Sequence, residues 1–227
     1  QARAKGGESD IVTEVDEKSE AMLLRHIAEE YPTHSVLGEE TGDHPGTAEW
    51  RWVIDPLDGT TNYKAGLPIF AVSIALEHHG EAVLGVVFAP YLDEMFTAVK
   101  GKGAFLNGKP IHCYATTDLA RAVLCTGFPV DKGSTPDNNL DNFSRVMPLV
   151  RGMRRLGSAA LDICYVGAGI LDAYWELRLH RWDVAAALLI ATEAGAHAEM
   201  LRPTSDHAYN PFVSTPELVS PMRQLLM

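Results

Sequence analysis

Two aspartates, Asp55 and Asp58, carry the chemistry that this sequence shows most directly. An apolar run precedes them, and we predict a buried strand over residues 51–54 that stops at Asp55. Pro56 disfavours helix at Asp55, and Gly59 lets the backbone approach a ligand closely. Carboxylates on such a rigid turn can converge on a hard cation such as Mg²⁺. For the Asp-Gly dipeptide alone, a polar turn with helix-capping aspartates is the alternative.

Three further acids each lie at the end of a predicted strand or at the start of a predicted helix. Asp183 opens a long apolar segment, where a carboxylate is also explained as a helix cap. Glu39 follows a short apolar run, and its alternative is a solvated surface pair with Glu40. Asp16 lies in a first helical turn, where it is also explained as a partner of the helix dipole. Cations bound among all five acids would turn the site into an anion receptor.

Together these residues resemble the inositol monophosphatase family, within the wider Mg²⁺-dependent, Li⁺-sensitive phosphatase superfamily. The matching motifs are Asp10-Ile-Val-Thr13-Glu-Val-Asp16, Gly38-Glu39-Glu40, Trp52-Val-Ile-Asp55-Pro-Leu-Asp58-Gly-Thr60-Thr-Asn62, Gly101-Lys-Gly103-Ala-Phe-Leu-Asn107-Gly108, Gly157-Ser158-Ala159-Ala160, and Trp182-Asp183-Val-Ala-Ala with Glu193-Ala-Gly195. They run in order from about Lys5 to Glu217. The resemblance implies a layered α+β/α/β sandwich (α-β-α-β-α) of the sugar-phosphatase type, with a mixed or antiparallel N-terminal sheet and a smaller C-terminal sheet.

The resemblance also implies roles residue by residue. Two or three Mg²⁺ ions, two of them bridged by Asp55, would be held by Glu39, Asp55, the backbone carbonyl of Leu57, Asp58 and Asp183. The catalytic groups would be Asp16, Thr60 and Glu39, with a Thr60–Asp16 hydrogen bond that orients or deprotonates the attacking water. The substrate-binding residues would be Asp58, Gly59, Thr60, Gly157, Ser158, Ala159, Glu176 and Asp183.

Substrate choice would depend on residues outside the aspartate motif. Glu176 matches a family glutamate that binds a sugar or cyclitol hydroxyl, and a carboxylate can accept from two hydroxyls; an ordinary strand-end charge is the alternative. Arg178 stands where the family frequently has glycine, so we expect it either to contact a second phosphate or to pair with a neighbouring acid. Lys5, followed by two glycines, matches a lysine on a mobile loop that closes over the site; a disordered terminus is the alternative.

The implied activity is that of a phosphoric monoester hydrolase. The enzyme would be Mg²⁺-dependent and would cleave inositol 1-phosphate, or a similar polyol or sugar phosphate, by in-line attack of a metal-activated water. Alternatives in the superfamily are fructose-1,6-bisphosphatase, histidinol-phosphatase and 3′-phosphonucleotide phosphatase. An alternative of another class is a regulatory protein- or RNA-associated factor that keeps the phosphatase fold. The resemblance further implies inhibition by Li⁺ and a homodimer.

Apolar patterning predicts the elements that position these groups. A helix over residues 15–31, started by Asp10 or Thr13, would bury Val15, Met22, Leu23, Ile27 and Tyr31. Strands are predicted over residues 35–38, 51–54, 70–77, 82–88, 94–99, 104–106, 123–126, 173–176 and around 212–214. Helices are predicted over residues 138–150, 157–171 and 184–194, the last largely buried and capped by Gly195.

A shift of pattern near residues 110–120 divides the chain into two closely packed halves. An N-terminal α+β subdomain, residues 1–115, would carry most metal ligands. A C-terminal α/β subdomain, residues 116–227, would carry the substrate-binding residues, and the two would form one compact unit.

Composition limits the remaining classes. The formal charge of −11 argues against non-specific nucleic-acid binding. No apolar run is long enough for a membrane helix, and the polar N-terminus lacks a signal-peptide pattern. Three cysteines without metal or redox spacing fit a reducing cytoplasm. The chain does not begin with Met, and we expect an N-terminal element to precede it.

Overall fold

Strands dominate the first half of the chain and alternate with helices in the second. The computed structural model describes residues 2–7, 10–203 and 208–226, with side chains from residue 13 onward. The strands are β1 (Ala2–Gly7), β2 (Asp10–Thr13), β3 (Ser35–Gly38), β4 (Gly42–His44), β5 (Trp50–Asp58), β6 (Ala71–His78), β7 (Glu81–Ala89), β8 (Glu94–Val99), β9 (Ala104–Leu106), β10 (Lys109–Ile111), β11 (Val123–Thr126), β12 (Gly152–Arg154), β13 (Ala173–Trp175), β14 (His197–Met200) and β15 (Pro211–Ser214). The helices are α1 (Glu14–Glu30), α2 (Thr60–Ala65), α3 (Leu140–Val146), α4 (Ala159–Gly167), α5 (Arg181–Glu193) and α6 (Val219–Arg223).

The strands form a larger and a smaller mixed sheet. The eight-stranded sheet has the order β10-β9-β8-β7-β6-β5-β3-β4 and is antiparallel except where β3 runs parallel to β5. The five-stranded sheet has the order β12-β11-β13-β15-β14, with β11 parallel to both neighbours. β1 and β2 form a separate antiparallel pair. The predicted mixed N-terminal sheet and smaller C-terminal sheet are confirmed.

Helices complete five layers around these sheets. α4 and α5 lie between the two sheets, because their apolar residues pack on β6 and β7 and also on β13 or β15. α1 covers the outer face of the larger sheet at β5, and α3 and α6 cover the smaller sheet. Small residues allow a close fit, since a Cβ at Gly85 would lie 2.7 Å from the Ala186 carbonyl oxygen. The layered α-β-α-β-α sandwich is therefore confirmed.

The predicted apolar face of α1 is wrong at several positions. Thr13 caps the helix as predicted, but Val15, Met22 and Tyr31 are exposed. The residues that α1 buries are Asp16, Glu20 and Ile27. Hydrophobic periodicity missed this face because two of its buried side chains are carboxylates, whose hydrogen-bond partners include residues far along the chain.

Three other predicted boundaries also need correction. The strand predicted over residues 51–54 continues to Asp58 as β5, because a bulge accommodates Pro56. The helix predicted over residues 138–150 reduces to α3, followed by a 3₁₀ turn at Met147–Leu149 that contains a proline. The helix predicted over residues 157–171 reduces to α4, because Gly157 and Gly169 have positive φ.

No helix among the described residues is long and apolar enough to cross a membrane. Cys113, Cys125 and Cys164 are all free thiols.

Candidate active site

The end of β5 carries the two aspartates on a bulge. Asp55 pairs with Ser73 and Asp58 with Ala71, so one strand advances three residues while its partner advances two. Pro56 lacks an N–H and suits this interruption of the ladder. Asp55 is buried, and its Oδ1 accepts a hydrogen bond from Leu57 N at 2.9 Å. The bulge thus places both carboxylates at the same end of β5, within electrostatic reach of each other.

Four predicted metal ligands are close enough to repel one another. Burial, followed by the charges of Glu39, Asp58 and Asp183, raises the pKa of Asp55 well above its usual value. Burial and the charges of Glu39 and Asp58 likewise raise the pKa of Asp183. Glu39 directly follows β3. Its backbone N–H donates to the carbonyl oxygen of Ile54 on the parallel strand β5 at 3.2 Å.

Two of these acids also hold helix starts. Asp183 lies in the first turn of α5, which begins at Arg181, and accepts from His180 N at 2.7 Å. Asp58 Oδ2 accepts from Ser158 Oγ at 2.6 Å and from Ala160 N at 2.7 Å. Burial raises the pKa of Asp58 to about 6, against the lowering effect of these hydrogen bonds. Asp58 and Asp183 therefore do make the helix-capping contacts that were the alternative explanation of each. Helix capping does not explain why the two carboxylates lie close enough to repel each other.

Thr60 and Asp16 are joined by a hydrogen bond. Thr60 Oγ1 donates to Asp16 Oδ1 at 2.9 Å and also lies 3.0 Å from the Leu57 carbonyl oxygen. Asp16 is fully buried, and its other oxygen accepts from Thr13 N at 3.0 Å and from the Thr13 hydroxyl. These bonds hold the carboxylate in one orientation beneath the start of α2.

Gly59 and Gly157 bring two backbone segments together beside this pair. They have φ values of 93° and 89°, which non-glycine residues rarely adopt. A Cβ at Gly59 would lie 3.2 Å from the Gly157 carbonyl oxygen. Asn62 links the same segments, donating to Ile69 O and Leu156 O at 2.7 Å each. The backbone at Gly59, one of the predicted substrate-binding residues, is therefore fixed against the turn that precedes α4.

Glu176 borders the same cavity as two of the predicted metal ligands. The cavity, of about 450 Å³, is bordered by Glu176, Glu39 and Asp183. Tyr174 OH donates to Glu176 Oε2 at 2.6 Å. Burial raises the pKa of Glu176 to about 7. Gly127 leaves room for the carboxyl group, since a Cβ there would lie 2.0 Å from Glu176 Oε2.

Arg178 pairs with a neighbouring acid, which is the contact that one of its two predicted roles requires. Its guanidinium is bidentate to Asp131, with Nη1–Oδ1 at 2.8 Å and Nη2–Oδ2 at 3.1 Å. Its φ of 64° explains why glycine suits this position. Lys5 lies in β1, and its side chain is outside the described part of the chain, so its role stays a prediction.

Sequence reasoning missed three residues around the site. Glu20 accepts from Glu40 N at 2.9 Å and from Thr41 N at 2.8 Å, which fixes the turn that carries the Glu39 carboxylate. Arg155 borders a cavity of about 120 Å³ with Asp162. Asp162 is buried and its Oδ1 has no hydrogen-bond partner. Arg155 could have been found from the sequence, because it lies just before the Gly157 turn. Glu20 and Asp162 could not, because no sequence pattern marks a buried carboxylate on a helix.

The donor set fits Mg²⁺, because the converging side chains offer carboxylate oxygens and a backbone carbonyl rather than nitrogen or sulfur. The burial of Asp58 and of Glu176 also has a measurable consequence. Asp58 and Glu176 have pKa values of about 6 and about 7, above the roughly 4 of an unfolded chain. Folding therefore favours their protonated forms, a contribution fully present below about pH 4 and lost as the pH rises through about 6 to 7.

We expect the thermal midpoint of the protein in EDTA to fall between about pH 5 and about pH 8, by differential scanning calorimetry. Excess Mg²⁺ should restore stability at the higher pH by mass action. Asp55→Asn, which removes one repelling charge, serves as the control and should reduce the pH dependence. A midpoint in EDTA that rises over this interval would contradict the assigned electrostatics.

The chain is similar to known proteins over most of its length. The chain matches the family model of the inositol monophosphatase family over residues 1–216. It is 45% identical over 190 residues to the inositol-1-monophosphatase of Rhizobium meliloti, covering 83% of this chain and 71% of the relative. It is 44% identical over 191 residues to Nus factor SuhB of Pseudomonas aeruginosa, covering 82% and 70%.

A solved structure of the inositol monophosphatase from Anabaena superposes with a TM-score of 0.89. That alignment has 39% sequence identity and covers 93% of this chain and 85% of the other. By family match, identity and fold alike, the chain belongs to the inositol monophosphatase family of phosphatases.

Proposed function

We propose that this chain is a Mg²⁺-dependent phosphomonoesterase acting on small polyol phosphates, with inositol 1-phosphate as the first candidate substrate. The observation that carries the proposal is the position of the Thr60–Asp16 hydrogen bond beside the mutually repelling carboxylates of Asp55, Asp58 and Asp183. A site that concentrates negative charge around a proton-accepting pair fits the hydrolysis of an anionic ester once cations are present.

Thr60 and Asp16 would manage the proton of the attacking water. The threonine hydroxyl has a single hydrogen, which we assign to the bond with Asp16 rather than to the contact with the Leu57 carbonyl oxygen. Its lone pairs are then free to accept a hydrogen bond from water, so a proton lost by the water can pass through the hydroxyl to the carboxylate. Asp16, held by Thr13, keeps its orientation during this transfer.

The start of α2 would hold the phosphate. The first backbone bond of this helix runs from Tyr63 N to Gly59 O, so the N–H groups of Gly59 and Thr60 precede the bonded turn. Glu39, Asp55, the Leu57 carbonyl, Asp58 and Asp183 would hold two or three Mg²⁺ ions. When bound, these ions would neutralise phosphate charge and lower the pKa of a water molecule.

Glu176 would recognise hydroxyl groups of the substrate. We expect Glu176→Gln to raise KM for inositol 1-phosphate about tenfold, because a charge-assisted hydrogen bond contributes about 1.5 kcal/mol or more. p-Nitrophenyl phosphate lacks these hydroxyls and is the matched control substrate, for which KM should stay unchanged. An equal effect on both substrates would place Glu176 outside hydroxyl recognition.

A bisphosphatase is the rival that Arg178 was expected to support. Because Arg178 is engaged by Asp131, we expect Arg178→Gly to leave kcat/KM unchanged for both inositol 1-phosphate and fructose 1,6-bisphosphate. Steady-state kinetics on the two substrates measure this directly. A selective loss on the bisphosphate would instead favour the rival.

The test of the proposed function is phosphate release from a panel of polyol, sugar and nucleotide phosphates, with Mg²⁺ and with EDTA. We expect Mg²⁺-dependent release that is highest for a polyol monophosphate and that Li⁺ inhibits. Full activity in EDTA, or no release from any ester, would overturn the proposal.

A second candidate function has one observation in its favour. The relative from Pseudomonas aeruginosa that is 44% identical to this chain carries the name Nus factor SuhB. We therefore propose a regulatory role of the same fold alongside catalysis. A homodimer, a cytoplasmic location and the division into residues 1–115 and 116–227 are further proposals. The test is whether the catalytically impaired Asp55→Asn variant complements a knockout phenotype. Complementation would support the binding role, and failure would support the chemical one.

A further inference from the structure

Glu49, His78 and His79 form a second group of potential metal ligands, away from the acidic site. Each offers one ligand atom, and these atoms all lie within 4.8 Å of one another. Glu49 directly precedes β5, and His78 ends β6, where it pairs with Trp50. Asp55 lies six residues along the same extended strand, so the two groups are about 20 Å apart.

The distances within the group suit a small tetrahedral cation. Glu49 Oε2 lies 3.2 Å from His79 Nε2 and 3.7 Å from His78 Nε2. Ligand atoms around tetrahedral Zn²⁺ stand about 3.3 Å from one another, because each bond to the metal is about 2.0–2.1 Å long. The carboxylate oxygen is therefore already near the separation from both imidazoles that a shared ion requires.

The backbone brings the two imidazoles to one side. Consecutive strand residues point to opposite faces, but His79 and Gly80 form a left-handed turn with φ values of 52° and 79°. The two imidazole rings consequently lie 4.2 Å apart. His79 N donates to Glu49 O at 3.2 Å, and His78 stacks on Trp50 at 4.3 Å. The three ligands are thus positioned by contacts that do not depend on a metal.

The chemistry of this group differs from that of the acidic site. Imidazole nitrogen suits Zn²⁺, Cu²⁺ and Ni²⁺, whereas carboxylate and carbonyl oxygens suit Mg²⁺. We propose that Glu49, His78 and His79 bind a transition-metal ion of the Zn²⁺ class, with water completing the coordination. The ion ties the segment before β5 to the β6–β7 turn and stabilises the folded chain by mass action. This inference does not depend on the proposed phosphatase activity.

The test is titration of the intact protein with Zn²⁺ by isothermal titration calorimetry, in an excess of Mg²⁺ that occupies the carboxylate site. We expect one Zn²⁺ per chain at this site. His79→Asn and Glu49→Gln should each weaken binding at least about tenfold, since loss of a ligand costs at least as much as loss of a supporting contact. Asn tolerates the left-handed backbone at position 79, so the turn should be preserved.

Two control variants separate this site from alternatives. His26→Asn removes an exposed histidine on α1, and Asp55→Asn disables the acidic site; both should leave Zn²⁺ affinity unchanged. Zn²⁺ should raise the thermal midpoint of the wild type but not of His79→Asn. Binding that survives both ligand variants, binding abolished by Asp55→Asn, or no Zn²⁺ binding at all would overturn the proposal and leave the group as a surface ion pair.

Discussion

Asp55→Asn should lower kcat/KM for inositol 1-phosphate by at least about 10³-fold while the protein stays folded. The substitution removes a carboxylate charge that would help to hold Mg²⁺, and electrostatic stabilisation by such ions contributes several kcal/mol to a transition state. The fold should tolerate the change because Asn keeps an oxygen to accept from Leu57 N, the bond seen at 2.9 Å.

Stability should even move in the opposite direction to activity. The neighbouring carboxylates raise the pKa of Asp55, so the neutral amide relieves repulsion in the metal-free protein. We expect the thermal midpoint in EDTA to be equal to or above that of the wild type. Asp172→Asn is the control for the same substitution outside the site, and it should leave kcat/KM unchanged. Asp172 accepts a hydrogen bond from Val123 N, at the end of β11 that lies away from the site. Near-wild-type hydrolysis by Asp55→Asn would show that the assigned mechanism is wrong.

Thr60→Val should reduce kcat by about 10²- to 10⁴-fold with little change in KM. Valine keeps the shape of threonine but has no hydroxyl, so it can neither donate to Asp16 nor accept from water. Thr60→Ser is the matched control, because it restores the hydroxyl on the same backbone, and we expect most of the activity to return.

The predicted loss of kcat in Thr60→Val should not come from unfolding of the variant. Thr60→Val leaves the buried Asp16 carboxylate with one hydrogen bond fewer, which costs about 1–3 kcal/mol, so the variant should remain folded at the assay temperature. Asp16→Asn should give a similar loss of kcat, and the double variant should lose little more than either single one, because the two groups act as a unit. Additive losses would indicate that Thr60 and Asp16 act independently.

Local sequence was sufficient for much of the fold. Strands β3, β8, β9 and β11 have the predicted bounds, because alternating or continuous apolar residues and flanking glycines define such strands without reference to the rest of the chain. α5 was equally readable, since a long apolar segment that ends at a glycine, here Gly195, is typical of a buried helix.

Patterning failed where burial is polar or where a bulge extends a strand. The inward face of α1 carries Asp16 and Glu20, and no hydrophobic period marks a buried carboxylate. β5 runs through Pro56 only because a bulge removes the need for its missing N–H. Both errors arise where local preference yields to contacts from elsewhere in the chain.

The sequence by itself determined which residues are candidates for the chemistry. Asp55 and Asp58 lie within one short segment, so their types and spacing indicated a turn that can hold a cation. The phosphatase activity was implied by the resemblance of the longer motifs to the inositol monophosphatase family. Tertiary structure decided how they are held. The Thr60–Asp16 bond spans 44 residues, and the Ser158–Asp58 bond spans 100.

Tertiary structure also decided the pairing of Arg178 with Asp131 and the grouping of Glu49 with His78 and His79. Composition marks none of these contacts. The physical reason is that a motif records the residues that must be adjacent along the chain. Charge repulsion, hydrogen-bond partners and ligand separations depend on distances that exist only after the sheets and helices have packed.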